Sequence, residues 1–128
     1  MTTGPEPAGS ATLSTHVLDA TTGRPAAGVE VRLDHAAGEG GGDARWVPAG
    51  AGQTDTDGRL RLASQGGAGD FDPGVYRITF GTGAYFKARG SAAFYPEVTI
   101  TFEMTARDEH YHVPLLLSPF AYSTYRGS

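Results

Sequence analysis

No cysteine occurs among the 128 residues, which excludes a disulfide framework, a thiolate metal site and a cysteine nucleophile. Runs of Lys or Arg are missing too: ten basic residues are scattered against 14 acidic ones, for a formal net charge of -4. That balance lacks the electrostatic footprint of a nucleic-acid or anionic-membrane binder, so neither partner is expected. No apolar stretch is long enough to span a bilayer, and Met1 to Ser10 has neither the basic start nor the apolar run of a signal peptide. The expectation is a cytoplasmic protein. The Arg126-Gly127-Ser128 ending is not a peroxisomal Ser-Lys-Leu address.

What the chain has instead is 19 Gly, 8 Pro and 39% hydrophobic residues, a mixture suited to short strands and many turns. Its length fits one domain. Residues 1–11 are small, polar and rich in Pro and Gly, and read as a disordered tail preceding a domain over 12–128.

From Leu13 the pattern has period two. Leu13, Thr15 and Val17 share one face, and Ser14, His16 and Leu18 the other, which sets His16 opposite the expected core. After a turn cluster at 19–25, Val29, Val31 and Leu33 alternate with Glu30, Arg32 and Asp34 in a second strand. The glycine-rich segment 36–53 reads as a loop with a brief edge strand at Arg45 to Pro48. Asp55-Thr56-Asp57-Gly58 is a turn that delivers Arg59 to the next strand. Further strands are expected at 74–80, 97–103, 110–117 and 120–126, with Pro114 pushing its strand to an edge or irregular position. A short helix at 84–89 would end at Gly90. The sum is an all-β fold, a two-sheet sandwich of about seven or eight strands with one helix.

Few residues could carry chemistry. His110 and His112 are two apart, so in a strand both imidazoles face one way. That pair suits acid–base work, a structural role, or zinc with His16, Asp108 or Glu109 as a further ligand. His35 reads as a surface residue. Arg59 is either a solvated cation or a fork of donors for a planar anion. Ser128 has no Gly-x-Ser-x-Gly elbow around it, so a nucleophile's role lacks its usual setting.

Two blocks change the weight of these signals. The first is His16-Val17-Leu18-Asp19-Ala20-Thr21-Thr22-Gly23-Arg24-Pro25 leading to Gly28-Val29-Glu30-Val31. The second runs from Tyr111-His112-Val113-Pro114 through Ser118-Pro119-Phe120 to Tyr125-Arg126-Gly127-Ser128. Together with Thr54 to Arg59, Tyr85 to Gly90 and Phe94 to Val98 in the same order, they resemble the transthyretin and 5-hydroxyisourate hydrolase family over residues 13–128. In that family the hydrolases, unlike the hormone carriers, have His at the place of His16, Arg at Arg59, His at His112 and a Tyr-Arg-Gly-Ser ending.

The resemblance implies two four-stranded sheets, dimers paired through edge strands, and a homotetramer, a dimer of dimers, with active sites in a central channel. It implies hydrolysis of one lactam bond of 5-hydroxyisourate, giving 2-oxo-4-hydroxy-4-carboxy-5-ureidoimidazoline in urate degradation. His112, with His16, would activate water. Arg59 would bind substrate and stabilise the anion, and Tyr125, Arg126 and Ser128 would close the site, Ser128 by positioning groups rather than by nucleophilic attack. No metal and no cofactor is implied. The alternative is a transthyretin-like carrier that binds a small ligand without turnover.

Overall fold

The computed structural model describes residues 11–37, 45–63, 71–106 and 109–128. Among them, nine strands and one helix follow in chain order. They are β1 (Thr12–Asp19), β2 (Arg24–Pro25), β3 (Glu30–Ala37), β4 (Arg45–Gln53), β5 (Arg59–Leu62), β6 (Gly74–Phe80), α1 (Thr82–Ala88), β7 (Val98–Met104), β8 (His110–Leu117) and β9 (Tyr122–Thr124). Residues 1–10 of the expected tail lie outside the described residues, while Ala11 is fully buried and bridged to Phe71.

Two sheets form. One is ordered β4-β3-β6-β7; the other runs β2-β1-β8-β9, with β5 also on β1. β1 and β8 run parallel over their full length, and β5 pairs antiparallel with the first half of β1. This sheet therefore holds five segments rather than four. No helix among the described residues is long and apolar enough to cross a membrane.

Alternation builds the core. Along β1, odd positions from Leu13 to Asp19 are buried and even ones half-buried, because successive side chains in a strand leave opposite faces. Leu13, Val17, Leu115 and Leu117 meet Val31, Leu33, Ile78, Phe80 and Val98 between the sheets. Each such buried side chain stabilises by roughly 1.5–3 kcal/mol. Thr15, the polar member of the inward set, donates its hydroxyl to the Val113 carbonyl at 2.6 Å. Asp19 ends the strand buried and accepts hydrogen bonds from the Thr21 amide and hydroxyl and, at 2.8 Å, from Tyr85. That contact fastens α1 to β1. The Tyr85 phenol is pushed up to about 12 by burial and by the Asp19 carboxylate it faces.

Three expectations need refinement. The edge strand expected at Arg45 to Pro48 is there but is not brief: β4 runs Arg45–Gln53 at the edge of its sheet, and its ladder with β3 extends from Glu30↔Gln53 to Ala37↔Arg45. Glycine there serves close approach, since a Cβ at Gly52 would come within 2.8 Å of the Leu60 side chain. Pro114 occupies an interior strand, between β1 and β9, and so not an edge, but it sits at the irregular position that was the other expectation, where the β8–β9 ladder is interrupted. The His112 carbonyl accepts the Gly127 amide and the Pro114 carbonyl accepts Thr124 Oγ1, so the Pro114 nitrogen, which has no proton to give, faces the same side. The β9 ladder reaches only Leu115↔Thr124, so no acceptor there is left waiting. The last strand is correspondingly short. The helix begins at Thr82 instead of Ala84, and the Gly90 and Ser91 amides close it on Lys87 and Phe86.

Candidate active site

The outer face of the β5-β1-β8 sheet collects the residues singled out by sequence. His16 lies opposite Arg59 across the β1/β5 ladder, and Ser14 lies opposite both Arg61 on β5 and His112 on β8. All share the outward phase, so two basic rows run across one face, with Pro114 beside His16 and His112 beside Ser14.

The Asp55–Gly58 corner fixes the Arg59 and His16 end. Asp55 Oδ1 accepts the Asp57 and Arg59 amides at 2.8 and 2.9 Å. The Arg59 amide, ahead of burial, the Asp57 amide and the nearby cations, governs the Asp55 carboxyl and holds it below its ordinary value. Gly58 has φ +74, and a Cβ there would sit 2.4 Å from the Val17 carbonyl oxygen, so only glycine fits the corner. The Asp57 carbonyl that this turn presents lies 2.9 Å from His16 Nε2. A carbonyl can only accept, so His16 carries a proton on Nε2.

His112 is half-buried at the other end. Its Nδ1 is 2.8 Å from Ser14 Oγ, which is also 2.9 Å from His110 Nε2; His110 Nδ1 in turn is 2.5 Å from Thr12 Oγ1. Burial lowers the His112 imidazole below the ordinary histidine value. His110, His16 and Arg59 add to the effect, against hydrogen bonding to Ser14. The ring is thus disposed to be neutral, with a lone pair, near neutral pH.

The tail divides. Gly127 lies against His112, its amide donating to the His112 carbonyl at 2.9 Å, and Ser128 follows exposed. Arg126 turns to Glu109 at 2.8 Å and lies 4.7 Å from the centre of the Tyr111 ring. Tyr125 and Arg126 line a cleft of about 240 Å³ with His112, Phe102, Glu103 and Tyr111, at the edge of the sandwich where β7 approaches β8 and β9. In the single chain, then, His16, Arg59, His112 and Gly127 meet on one face. Tyr125 and Arg126 look to the sandwich edge, into the cleft that His112 also lines.

Sequence reasoning missed Ser14 and the packing of Gly127. The phase of β1 marks Ser14 as outward, on the face of His16, but its partner across the parallel ladder has no local signature. Among the described residues no three His, Asp or Glu side chains are grouped to hold a metal; Asp108 lies outside them. His35 is half-buried, its ring 6.0 Å from that of Tyr76.

Two sheets, one helix between β6 and β7, and a histidine–arginine face on the β1/β8 sheet define a transthyretin-like sandwich. The chain belongs to the HIUase/Transthyretin family, whose family model matches residues 13–127. A 5-hydroxyisourate hydrolase of Salmonella typhi is 46% identical over 121 residues, covering 94% of this chain and 84% of the relative. The solved structure of Klebsiella pneumoniae 5-hydroxyisourate hydrolase superposes with a TM-score of 0.75 at 37% identity, covering 91% of this chain and 99% of that one. Transthyretin from Sparus aurata superposes with a TM-score of 0.78 at 32% identity, covering 90% and 95%.

Proposed function

We propose that this chain hydrolyses 5-hydroxyisourate, opening its six-membered ring at a cyclic amide bond in urate degradation. Backbone similarity does not separate hydrolase from carrier, since the TM-scores to the two are nearly equal. The observation that carries the reading is chemical: two histidines and Arg59 share one sheet face, held by the registers His16↔Arg59 and Ser14↔His112. A carrier of an apolar ligand has no use for such a face.

Lactam hydrolysis needs a base for water and a donor for the oxyanion that forms. His112, lowered by burial and by neighbouring cations, suits the base at neutral pH. Arg59 suits the anion, its charge requiring no proton transfer. His16, protonated at Nε2 by its bond to Asp57, orients substrate and assists at its other nitrogen. Tyr125, Arg126 and Ser128 close the site in the assembled protein, where a second chain meets the sandwich edge.

We further propose a cytoplasmic homotetramer, a dimer of dimers whose chains pair through edge strands β7 and β9, one from each sheet. Light scattering after size exclusion, and fractionation of the native cell, test these two statements. The activity is tested by adding the protein to freshly generated 5-hydroxyisourate and following ultraviolet absorbance against buffer. A carrier leaves the spontaneous decay unchanged.

A further inference from the structure

Behind His112 stands a line of groups for which hydrolysis as described has no use. Thr12 Oγ1, His110, Ser14 Oγ and His112 are linked end to end at 2.5, 2.9 and 2.8 Å. All four lie on the outward phase of two parallel strands, with Thr12 opposite His110 and Ser14 opposite His112. The inner end is half-buried, whereas His110 is exposed. Two imidazoles thus share a single hydroxyl, and that hydroxyl has one proton.

The sharing constrains tautomers. When His112 donates from Nδ1 to Ser14 Oγ, Ser14 is free to donate to His110 Nε2, and His110 donates from Nδ1 to Thr12. In this order His112 Nε2 carries the lone pair of a base. When the order reverses, His110 Nε2 donates to Ser14, Ser14 donates to His112 Nδ1, and the His112 proton sits on Nε2. A base in one order is an acid in the other.

We propose that Ser14 and His110 are positioning residues that form a proton relay behind His112, converting it from general base to general acid within one turnover. As His112 Nε2 takes a proton from the attacking water, its Nδ1–H bond breaks and that proton passes to Ser14 Oγ. The original Ser14 proton passes to His110 Nε2, so the positive charge ends on an exposed imidazole that releases a proton to solvent. His112 is left neutral with its proton on Nε2; as it gives that proton to the leaving ring nitrogen, Ser14 returns a proton to Nδ1, His110 Nε2 returns one to Ser14, and His110 recovers a proton from solvent, which restores the resting order. The relay answers an electrostatic difficulty. A charge held on His112 would face His16 on β1 and Arg59 and Arg61 on β5; the carboxylates nearby among the described residues are Glu103, in the cleft that His112 lines, Asp55, bonded to the Arg59 amide, and Glu109, already paired with Arg126. The lowered affinity of His112 for a second proton agrees with this.

The inference rests on the proposed hydrolysis, and its test separates the two. Ser14→Ala is expected to lower kcat by about 10- to 100-fold, the usual cost of losing an orienting partner behind an active imidazole, with KM little changed. Ser14→Thr, which keeps the hydroxyl, is expected to restore most of the loss. His110→Ala, at an exposed position that tolerates truncation, is expected to lower kcat similarly and to change the shape of the pH–rate profile. Imidazole nitrogen NMR is expected to show neutral His112 with its proton on Nδ1 in the resting protein, and as a mixture of the two neutral tautomers in Ser14→Ala. If Ser14→Ala and His110→Ala keep the parent kcat and pH profile while His112→Ala is inactive, the relay is overturned and the hydrolase reading stands. If His112→Ala keeps its turnover, both fall.

Discussion

Gly127 packs flat against the His112 imidazole: a Cβ at position 127 would lie 2.5 Å from His112 Cδ2 and 3.2 Å from Pro114 Cγ. The glycine of the Tyr-Arg-Gly-Ser ending is thus a steric requirement of the histidine beneath it. Gly127→Ala must either lift the tail or rotate the ring. Misplacement of a reacting group by about 1 Å costs on the order of 100-fold in rate, so kcat/KM is expected to fall by at least about 10-fold. The melting temperature should hardly move, because the tail is exposed. Parent kinetics in this variant would show that the tail does not set His112.

The pH dependence follows from the lowered His112 imidazole, whose first cause is burial, followed by His110, His16 and Arg59. Its folded value lies below the ordinary 6.5, so the unfolded chain binds more protons in the interval beneath 6.5. There is no penalty above 6.5; it grows as pH falls through that value and is complete below the folded one. Urea denaturation between pH 7.5 and 5.5 should therefore show a larger loss of stability in the parent than in His112→Gln. The acid limb of kcat/KM should have its midpoint below 6.5.

The Asp19–Tyr85 contact has the opposite chemistry and lies on the inward phase of β1, away from the His16 face. Burial pushes the Asp19 carboxyl up, but hydrogen bonds from Thr21, Tyr85 and Thr22 outweigh it and leave the group lowered. Its contribution to stability is present above the ordinary value of 3.8 and is lost as pH falls through the lower folded one. Tyr85→Phe strips one donor from a buried carboxylate, at a cost of about 1–3 kcal/mol. Calorimetry should show a lowered melting temperature and earlier acid unfolding, with turnover per folded chain preserved.

Gly58→Ala tests the corner that holds both Arg59 and the His16 acceptor. The new Cβ meets the Val17 carbonyl oxygen at 2.4 Å and sits at φ +74, and left-handed strain alone costs about 1–3 kcal/mol. The expected result is a lower melting temperature together with reduced kcat, since Asp57 and Arg59 move with the turn. Unchanged values of both would show that the corner does not position the site.

Much of this was legible in the sequence where the determinants are local. The period-two pattern of β1 set Leu13, Thr15 and Val17 inside and His16 outside, as burial shows, and Asp57-Gly58 marked the corner before Arg59. The long β3/β4 hairpin was not legible, because glycine composition looks the same whether it serves a loop or a close approach to Leu60. Nor was the pairing of Ser14 with His112. Register between segments so far apart in sequence is fixed by core packing on the opposite face, and nothing near Ser14 announces it. Which of its two expected settings Pro114 takes was not legible for a related reason: it is the irregular one, its missing donor facing the gap in the β8–β9 ladder, which depends on where β9 stops.

The central claim is that His16, Arg59 and His112 form one hydrolytic site. Freshly generated 5-hydroxyisourate, followed by ultraviolet absorbance with the parent protein and with His16→Ala, Arg59→Ala and His112→Ala, tests it most directly. The parent should accelerate decay well beyond buffer, and each variant, folded by circular dichroism, should lose on the order of 100-fold or more. Decay at the buffer rate with the parent, or near-parent rates in any of the three variants, would contradict the account.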